Sequence, residues 1–190
     1  MKEVILTVGP RASGKSSFCE KVIALDPFIV LISRDKLLLE LFGETHLDPY
    51  NGGHWIVLQE MWLRVKEAIE LSSGSRMILD TWNGSSEERS SILRRLRALG
   101  VDKITAWYFV TPVEDVAKWF FEKPDVTEIS EFQSSRGQNL TFFAKDAPRR
   151  DHELFHRFAA GIDSEGFDEV VRINPLVNQS VEIHAFQISS

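Results

Sequence analysis

Val4-Ile5-Leu6-Thr7-Val8-Gly9-Pro10-Arg11-Ala12-Ser13-Gly14-Lys15-Ser16 is the stretch whose reading decides the fold. A β-favouring run enters a loop of pattern G-x-x-x-x-G-K-S, and Lys15 to about Leu25 is compatible with a helix. In a strand–loop–helix of this kind, backbone amides and the helix start surround phosphate groups. The lysine places positive charge on the β and γ phosphates, and the serine hydroxyl ligates Mg²⁺. Gly9, Pro10, Arg11, Ala12, Ser13, Gly14, Lys15, Ser16 and Ser17 are therefore expected to hold ATP, with Lys15 also catalytic and Ser16 also a metal ligand. Gly9 and Gly14 are expected to let the backbone turn tightly against the nucleotide.

Outward from this unit, strands and helices alternate. Asp26-Pro27 breaks the first helix, and Phe28–Ile32 reads as a strand buried on both faces, with Ser33-Arg34-Asp35 at its end. Lys36–Phe42 reads as a short helix and His54–Leu71 as a longer one whose stripe Trp55, Leu58, Trp62, Val65 and Ile69 faces the core. Arg76–Leu79 is a third strand ending in Asp80. Ser85 and Glu88 form a capping box for a helix to about Leu99, which Gly100 stops. Lys103–Val110 is a fourth strand. Thr111 and Glu114 repeat the capping pattern around Pro112 as first helical residue, for a helix ending near Phe121. A helix over Pro148–Ala160 and a fifth strand over Glu169–Ile173 follow, and Val181, Ile183 and Ala185 alternate as an edge strand or lie in a disordered terminus. The pattern predicts an α/β P-loop NTPase of kinase-like type, a three-layer sandwich around a mainly parallel five-stranded sheet. Ligands bind beyond the C-terminal ends of such strands, so the loop, Asp35 and Asp80 should share one edge.

A chain of 190 residues with 43% hydrophobic composition is sized for one compact domain, read here as residues 1–175 with a lid at about 122–147 and a tail at 176–190. The lid is inferred from the loss of periodicity and the gain of Ser, Gly, Gln and Asn. No run approaches the roughly 20 apolar residues that span a bilayer, Met1-Lys2-Glu3 does not open a signal peptide, and Cys19 is the single cysteine. These features point to a cytoplasmic protein with no membrane partner. A net charge of −6 opposes extended duplex binding, although Arg94, Arg95, Arg97 and Arg149, Arg150, Arg157 can form a local basic face or simply solvated helix sides.

Two carboxylates complete the pattern. Asp80 closes an apolar strand, where P-loop proteins hold Mg²⁺ directly or through water; the alternative is a capping or turn aspartate. Asp35 can accept the proton of an attacking hydroxyl, or it can cap the helix that follows. Met1–Leu37, then Ile78-Leu79-Asp80-Thr81, Asn83, Glu88-Arg89 and the strand ending at Val110 resemble the phage-type polynucleotide 5′-hydroxyl kinases. That resemblance implies Asp35 as general base on the 5′-hydroxyl, Arg34 as support for the site, Asp80 as the residue ordering the metal region, and a lid arginine on the nucleotide phosphates. Arg136, in the flexible run Ser134-Ser135-Arg136-Gly137, is the first choice for that arginine, ahead of Arg149 and Arg150.

One departure bears on the acceptor. Where the phage enzymes carry a phosphate-binding arginine three residues after the catalytic aspartate, this chain has Leu38. The expected reaction is γ-phosphate transfer from ATP to a hydroxyl, foremost a polynucleotide or nucleotide 5′-hydroxyl. A metabolite or antibiotic kinase is the alternative, and a slowly hydrolysing ATP-dependent switch protein is a third reading. His46, His54, His152 and His156 lack zinc spacing and read as structural or surface residues.

Overall fold

The computed structural model describes residues 1–43, 52–71, 76–122 and 146–178, and the backbone of 131–133 and 139–141. Five parallel strands form the main sheet: β1 (Glu3–Val8), β2 (Val30–Ser33), β3 (Arg76–Asp80), β4 (Lys103–Phe109) and, last in the chain, β7 (Glu169–Ile173). Their spatial order is β2-β3-β1-β4-β7, so the strand carrying the glycine loop is central. Every residue of β1 is buried, because helices cover both faces of a parallel sheet.

Alternation along β1 sorts the core. Val4, Leu6 and Val8 join one cluster with side chains of α2 (Arg34–Phe42), α3 (Gly53–Glu70), α4 (Ser86–Ala98) and α6 (Ala147–Phe158). Ile5 points to the other face, against Phe18, Cys19 and Val22 of α1 (Lys15–Leu25). The three-layer sandwich follows, and each large aliphatic side chain it buries contributes about 1.5–3 kcal/mol. Burial also pushes the Cys19 thiol pKa upward, so this cysteine is a core residue. An antiparallel hairpin, β5 (Glu131–Gln133) and β6 (Asn139–Thr141), falls within the predicted lid after α5 (Val113–Phe121). The rest of 123–145 and the alternating tail from Val181 lie outside the described residues.

Three local readings need correction. The second strand starts at Val30, and Phe28 is 90% exposed, because Asp26 extends the turn by accepting from the amides of Phe28 and Ile29. As an edge strand, β2 is also only half covered. On α3 the core stripe is Val57, Met61, Trp62, Val65 and Ile69, while Trp55 and Leu58 are exposed. The sequence offers two apolar stripes sharing Trp62, Val65 and Ile69, and packing against the sheet selects the one that includes Val57 and Met61. Finally, Pro112 precedes α5 as its extended N-cap, and the Thr111 hydroxyl donates to the Ser13 carbonyl and leaves the helix uncapped. The capping box at Ser85 and Glu88 is present as expected, and Gly100 adopts φ 79° behind α4.

Arg89 of α4 is the largest polar side chain in the interior, with no exposed surface. Its Nε and Nη2 donate to Glu165 at 2.5 and 2.6 Å, and Nη2 also donates to the Phe158 carbonyl at 2.8 Å. Nη1 donates to the carbonyls of Asn83 and Gly84 at 3.0 Å, so the guanidinium's hydrogen-bonding capacity is used in full. This side chain ties the loop after β3 to the end of α6. Removing one partner of a buried pair leaves the other uncompensated, so Arg89→Met should lower stability by about 3–5 kcal/mol. Urea unfolding measures it, and a loss below about 1 kcal/mol, the range of an exposed pair, would refute the anchoring role.

Candidate active site

Register brings the strand ends together. Ser33 of β2 lies beside Asp80 of β3, and β3 pairs with β1, whose end feeds the glycine loop. The loop, Arg34-Asp35 and Asp80 therefore occupy one edge of the sheet, as the fold class requires.

The loop is shaped by a few backbone constraints. Gly14 has φ 86°, a left-handed conformation, and a Cβ there would stand 3.2 Å from both Trp119 and Pro175. Gly9 serves a different purpose: a Cβ would approach Phe109 Cβ and Ser13 Oγ to 2.9 Å, so glycine is needed for close packing. Ala12 also adopts positive φ, 57°, which the sequence did not signal. Within the loop Ser13 Oγ donates to the Pro10 carbonyl at 2.9 Å, and Lys15 Nζ donates to the carbonyls of Gly9 and Pro10 at 2.9 and 2.8 Å. No side chain caps α1 at Gly14, in contrast to the full box on α4. A helix start of that kind favours an anionic group.

Asp80 is 7% exposed and hydrogen-bonded through both oxygens, from Thr7 Oγ1 at 2.6 Å and from Ser16 Oγ at 3.0 Å. It is neither a cap nor a turn aspartate, since it closes β3 as a ladder residue. Ser16 is exposed, as is Ser17. A hydroxyl and a carboxylate at contact distance are hard oxygen donors, the type that Mg²⁺ takes while keeping waters and substrate phosphates. The Ser16–Asp80 donor set fits a lightly ligated magnesium ion, and among the described residues no group of three or more His, Cys, Asp or Glu side chains could hold a metal.

Asp35 lies in the first turn of α2, with 62% of its side chain exposed. Ser33 holds the N-cap position, which excludes the capping reading of Asp35. Arg34 Nη1 is 3.7 Å from Asp35 Oδ1, and Arg34 Nη2 is 2.7 Å from His54 Nδ1. Arg11 departs from a purely phosphate-facing role, since its Nε donates to Asp151 of α6 at 2.8 Å and its guanidinium lies 5.1 Å from the Phe120 ring. Arg136 lies outside the described residues. Arg149 and Arg150 sit on α6 beside Glu114 and Asp146, at 3.7 and 3.6 Å.

Several contacts escaped the sequence reading. Thr7 was legible only as a polar residue directly after the aliphatic run Val4-Ile5-Leu6. Asn83 Nδ2 donates to the Thr7 carbonyl at 2.7 Å and to the Thr81 carbonyl at 3.0 Å, fixing the turn after Asp80. His152 Nε2 lies 3.0 Å from the Thr111 carbonyl and 3.1 Å from His156 Nε2, and His156 Nδ1 meets the Tyr108 hydroxyl. Because the carbonyl must accept, His152 donates from Nε2. Burial, then the neighbouring His152, holds the His156 pKa down to about 4, which keeps it neutral and structural near pH 7.

Comparison with known proteins agrees with the fold. No curated protein matches the sequence. Among solved structures, a candidate kinase from Chloroflexus aurantiacus superposes with TM-score 0.66 at 11% identity over 99% of this chain and 97% of its own. Shikimate kinase from Acinetobacter baumannii gives TM-score 0.55 at 14% identity, covering 100% and 92%. A fungal RNA kinase gives 0.51 at 14%, covering 99% and 82%. At such identities the likeness is one of fold, a P-loop kinase-like fold. A family model described as an AAA domain matches residues 4–141, from the first strand through the glycine loop and both aspartates to the hairpin, so the chain belongs to that family of P-loop proteins.

Proposed function

We propose that this protein is an ATP-dependent kinase that transfers the γ-phosphoryl group to a hydroxyl. The observation that carries the reading is the Thr7–Asp80–Ser16 set beside an uncapped, left-handed loop, with a second carboxylate, Asp35, at the neighbouring strand end. A nucleotide-binding switch needs the first part and has no use for the second. The acceptor hydroxyl oxygen attacks the γ-phosphorus, the bond from that phosphorus to the β–γ bridging oxygen breaks, and ADP departs with the bridging electrons. Asp35 takes the hydroxyl proton. Lys15 stays within reach of the transferred group because its stem starts at the first helical residue, and its ammonium exchanges two loop carbonyls for phosphate oxygens. A magnesium ion there would supply positive charge that offsets the charge of the phosphate groups. Ser16 and Asp80 would hold it, and Thr7 keeps the carboxylate oriented. Arg34 supports Asp35, and Arg136 is assigned to the phosphates from the lid.

The resemblance to the phage-type kinases favours a 5′-hydroxyl of a polynucleotide or nucleotide. A small-molecule acceptor is favoured by Leu38, which is fully buried in the core. Both classes are represented by proteins of similar fold, one a kinase for RNA and one for shikimate.

Three outcomes test the reading. Lys15→Ala should abolish transfer from labelled ATP while the far-ultraviolet circular dichroism stays that of the parent, and wild-type turnover would overturn the assignment. Transfer should depend on Mg²⁺ or Mn²⁺ and stop with a chelator. Asp80→Ala should shift the metal requirement upward by about tenfold or more, in line with losing a metal-site partner, and an unchanged metal titration would remove Asp80 from the site. Asp35→Asn should leave ATP affinity in equilibrium dialysis near the parent value. Its turnover should fall by about 10²–10⁴-fold, the usual loss of a positioned base, and unaltered turnover would eliminate the proton-accepting role.

A further inference from the structure

Thr111-Pro112-Val113-Glu114 has the sequence of a helix cap, and in the fold its threonine is spent elsewhere. Pro112 holds the N-cap position of α5, which has no side-chain cap, while the Thr111 hydroxyl reaches back to the glycine loop and donates to the Ser13 carbonyl at 2.7 Å. The two residues stand 98 positions apart in the chain. Thr111 is 1% exposed and Ser13 is 0% exposed, so this bond lies in the interior. β4 is a sheet neighbour of β1, and the chain at its end supports the loop twice. Phe109 closes on Gly9, where a Cβ would stand 2.9 Å from Phe109 Cβ, and Thr111 closes on Ser13.

The Ser13 carbonyl and the Gly14 N–H belong to one peptide unit. In a trans peptide these two groups point in opposite directions, and among the described residues no peptide bond is cis. Drawing the carbonyl into the interior therefore turns the Gly14 N–H the other way. Gly14 stands directly before α1, at the helix end whose amides and dipole favour an anion. Its partners leave the peptide little freedom. The Ser13 hydroxyl donates to the Pro10 carbonyl at 2.9 Å, and His152 of α6 donates to the Thr111 carbonyl at 3.0 Å, so both residues joined by the bond are themselves held.

Resting on the ATP-binding part of the reading above, we propose that Thr111 is a positioning residue for the nucleotide phosphates: its hydroxyl sets the Ser13–Gly14 peptide so that the Gly14 amide faces a phosphate oxygen before the nucleotide arrives. A bond already made in the free protein lowers the ordering cost of binding. Without it the peptide is free to rotate. The phosphate then finds the outward amide in only a fraction of the molecules, and the apparent affinity falls by that fraction.

The test uses the full chain with Mg²⁺ and measures the Kd for ATP and for inorganic tripolyphosphate, a ligand without base or sugar. Thr111→Val, which matches threonine in shape and lacks the hydroxyl, should raise both Kd values about three- to tenfold, the size of one lost hydrogen bond. Thr111→Ser should restore parent-like binding. A readout that needs no variant is the Gly14 amide resonance of the parent, which should move downfield on addition of tripolyphosphate as its N–H takes a charged acceptor. An ATP Kd unchanged in Thr111→Val would overturn the proposal. So would an equal loss in Thr111→Ser, which assigns the effect to the methyl group, or a loss for ATP with none for tripolyphosphate, which assigns it to the base. A Gly14 resonance that stays in place at saturation would overturn it even where Thr111→Val does not fold. A parent chain that binds no ATP would defeat the kinase reading and this inference together. ATP binding with the expected Thr111→Val loss, but transfer to no alcohol, would remove the kinase reading and uphold the positioning role.

Discussion

One buried carboxylate organises the active edge. Asp80 sits at 7% exposure, and a charge so placed is costly unless its oxygens are bonded. The two hydroxyls that bond it come from different elements, Thr7 near the end of β1 and Ser16 in the first turn of α1. Satisfying that single group therefore fixes where the glycine loop leaves one strand relative to the end of its neighbour. The constraint propagates along the chain. Asn83 turns back onto the Thr7 carbonyl, Arg89 gathers the carbonyls of Asn83 and Gly84, and Glu165 closes the set beyond α6.

What the sequence made legible is what rests on neighbours along the chain. The loop motif, the capping box at Ser85 and Glu88, the Gly100 stop and the alternation of strands with helices are local patterns, and the structure has each of them. The errors arose where a distant partner decides. Two apolar stripes on α3 are equivalent until the sheet chooses between them; Phe28 is the local exception, its amide held in a turn by Asp26 two residues earlier. The partners of Thr7, Arg89 and the structural pair His152 and His156 were opaque because they lie far along the chain. The separations are 73, 76 and 48 residues, for Thr7–Asp80, Arg89–Glu165 and Tyr108–His156 respectively, and no periodicity encodes such pairs. Even the glycines divided by mechanism, since Gly14 is required for its dihedral angle and Gly9 for its lack of volume.

The arginines show how pairing alters what composition implies. The run at 94, 95 and 97 reads as a local basic face or as a solvated helix side, and in the fold Arg95 lies 4.1 Å over the Trp62 ring and Arg97 is bonded to Asp168 at 2.5 Å. Arg11, inside the glycine loop, joins Asp151 of α6 and leans on Phe120 of α5. The helices on either side of the hairpin thus meet the phosphate loop through one guanidinium. Contacts of this kind relate the loop's position to the base of the segment assigned to the lid, without any backbone connection between them.

Position 38 shows how one fold can serve different acceptors. Asp35 lies in the opening turn of α2, largely exposed at the sheet edge, whereas Leu38, one turn later, is fully buried in the cluster that contains Val57 and Met61 of α3. An arginine at 38 in this packing would carry its charge into an apolar cluster at a cost of several kcal/mol. Phosphate reading from that position therefore requires α3 to sit elsewhere, so that the side chain emerges toward the acceptor. Asp35, the carboxylate proposed as base, lies a turn earlier and is largely exposed, outside that contact.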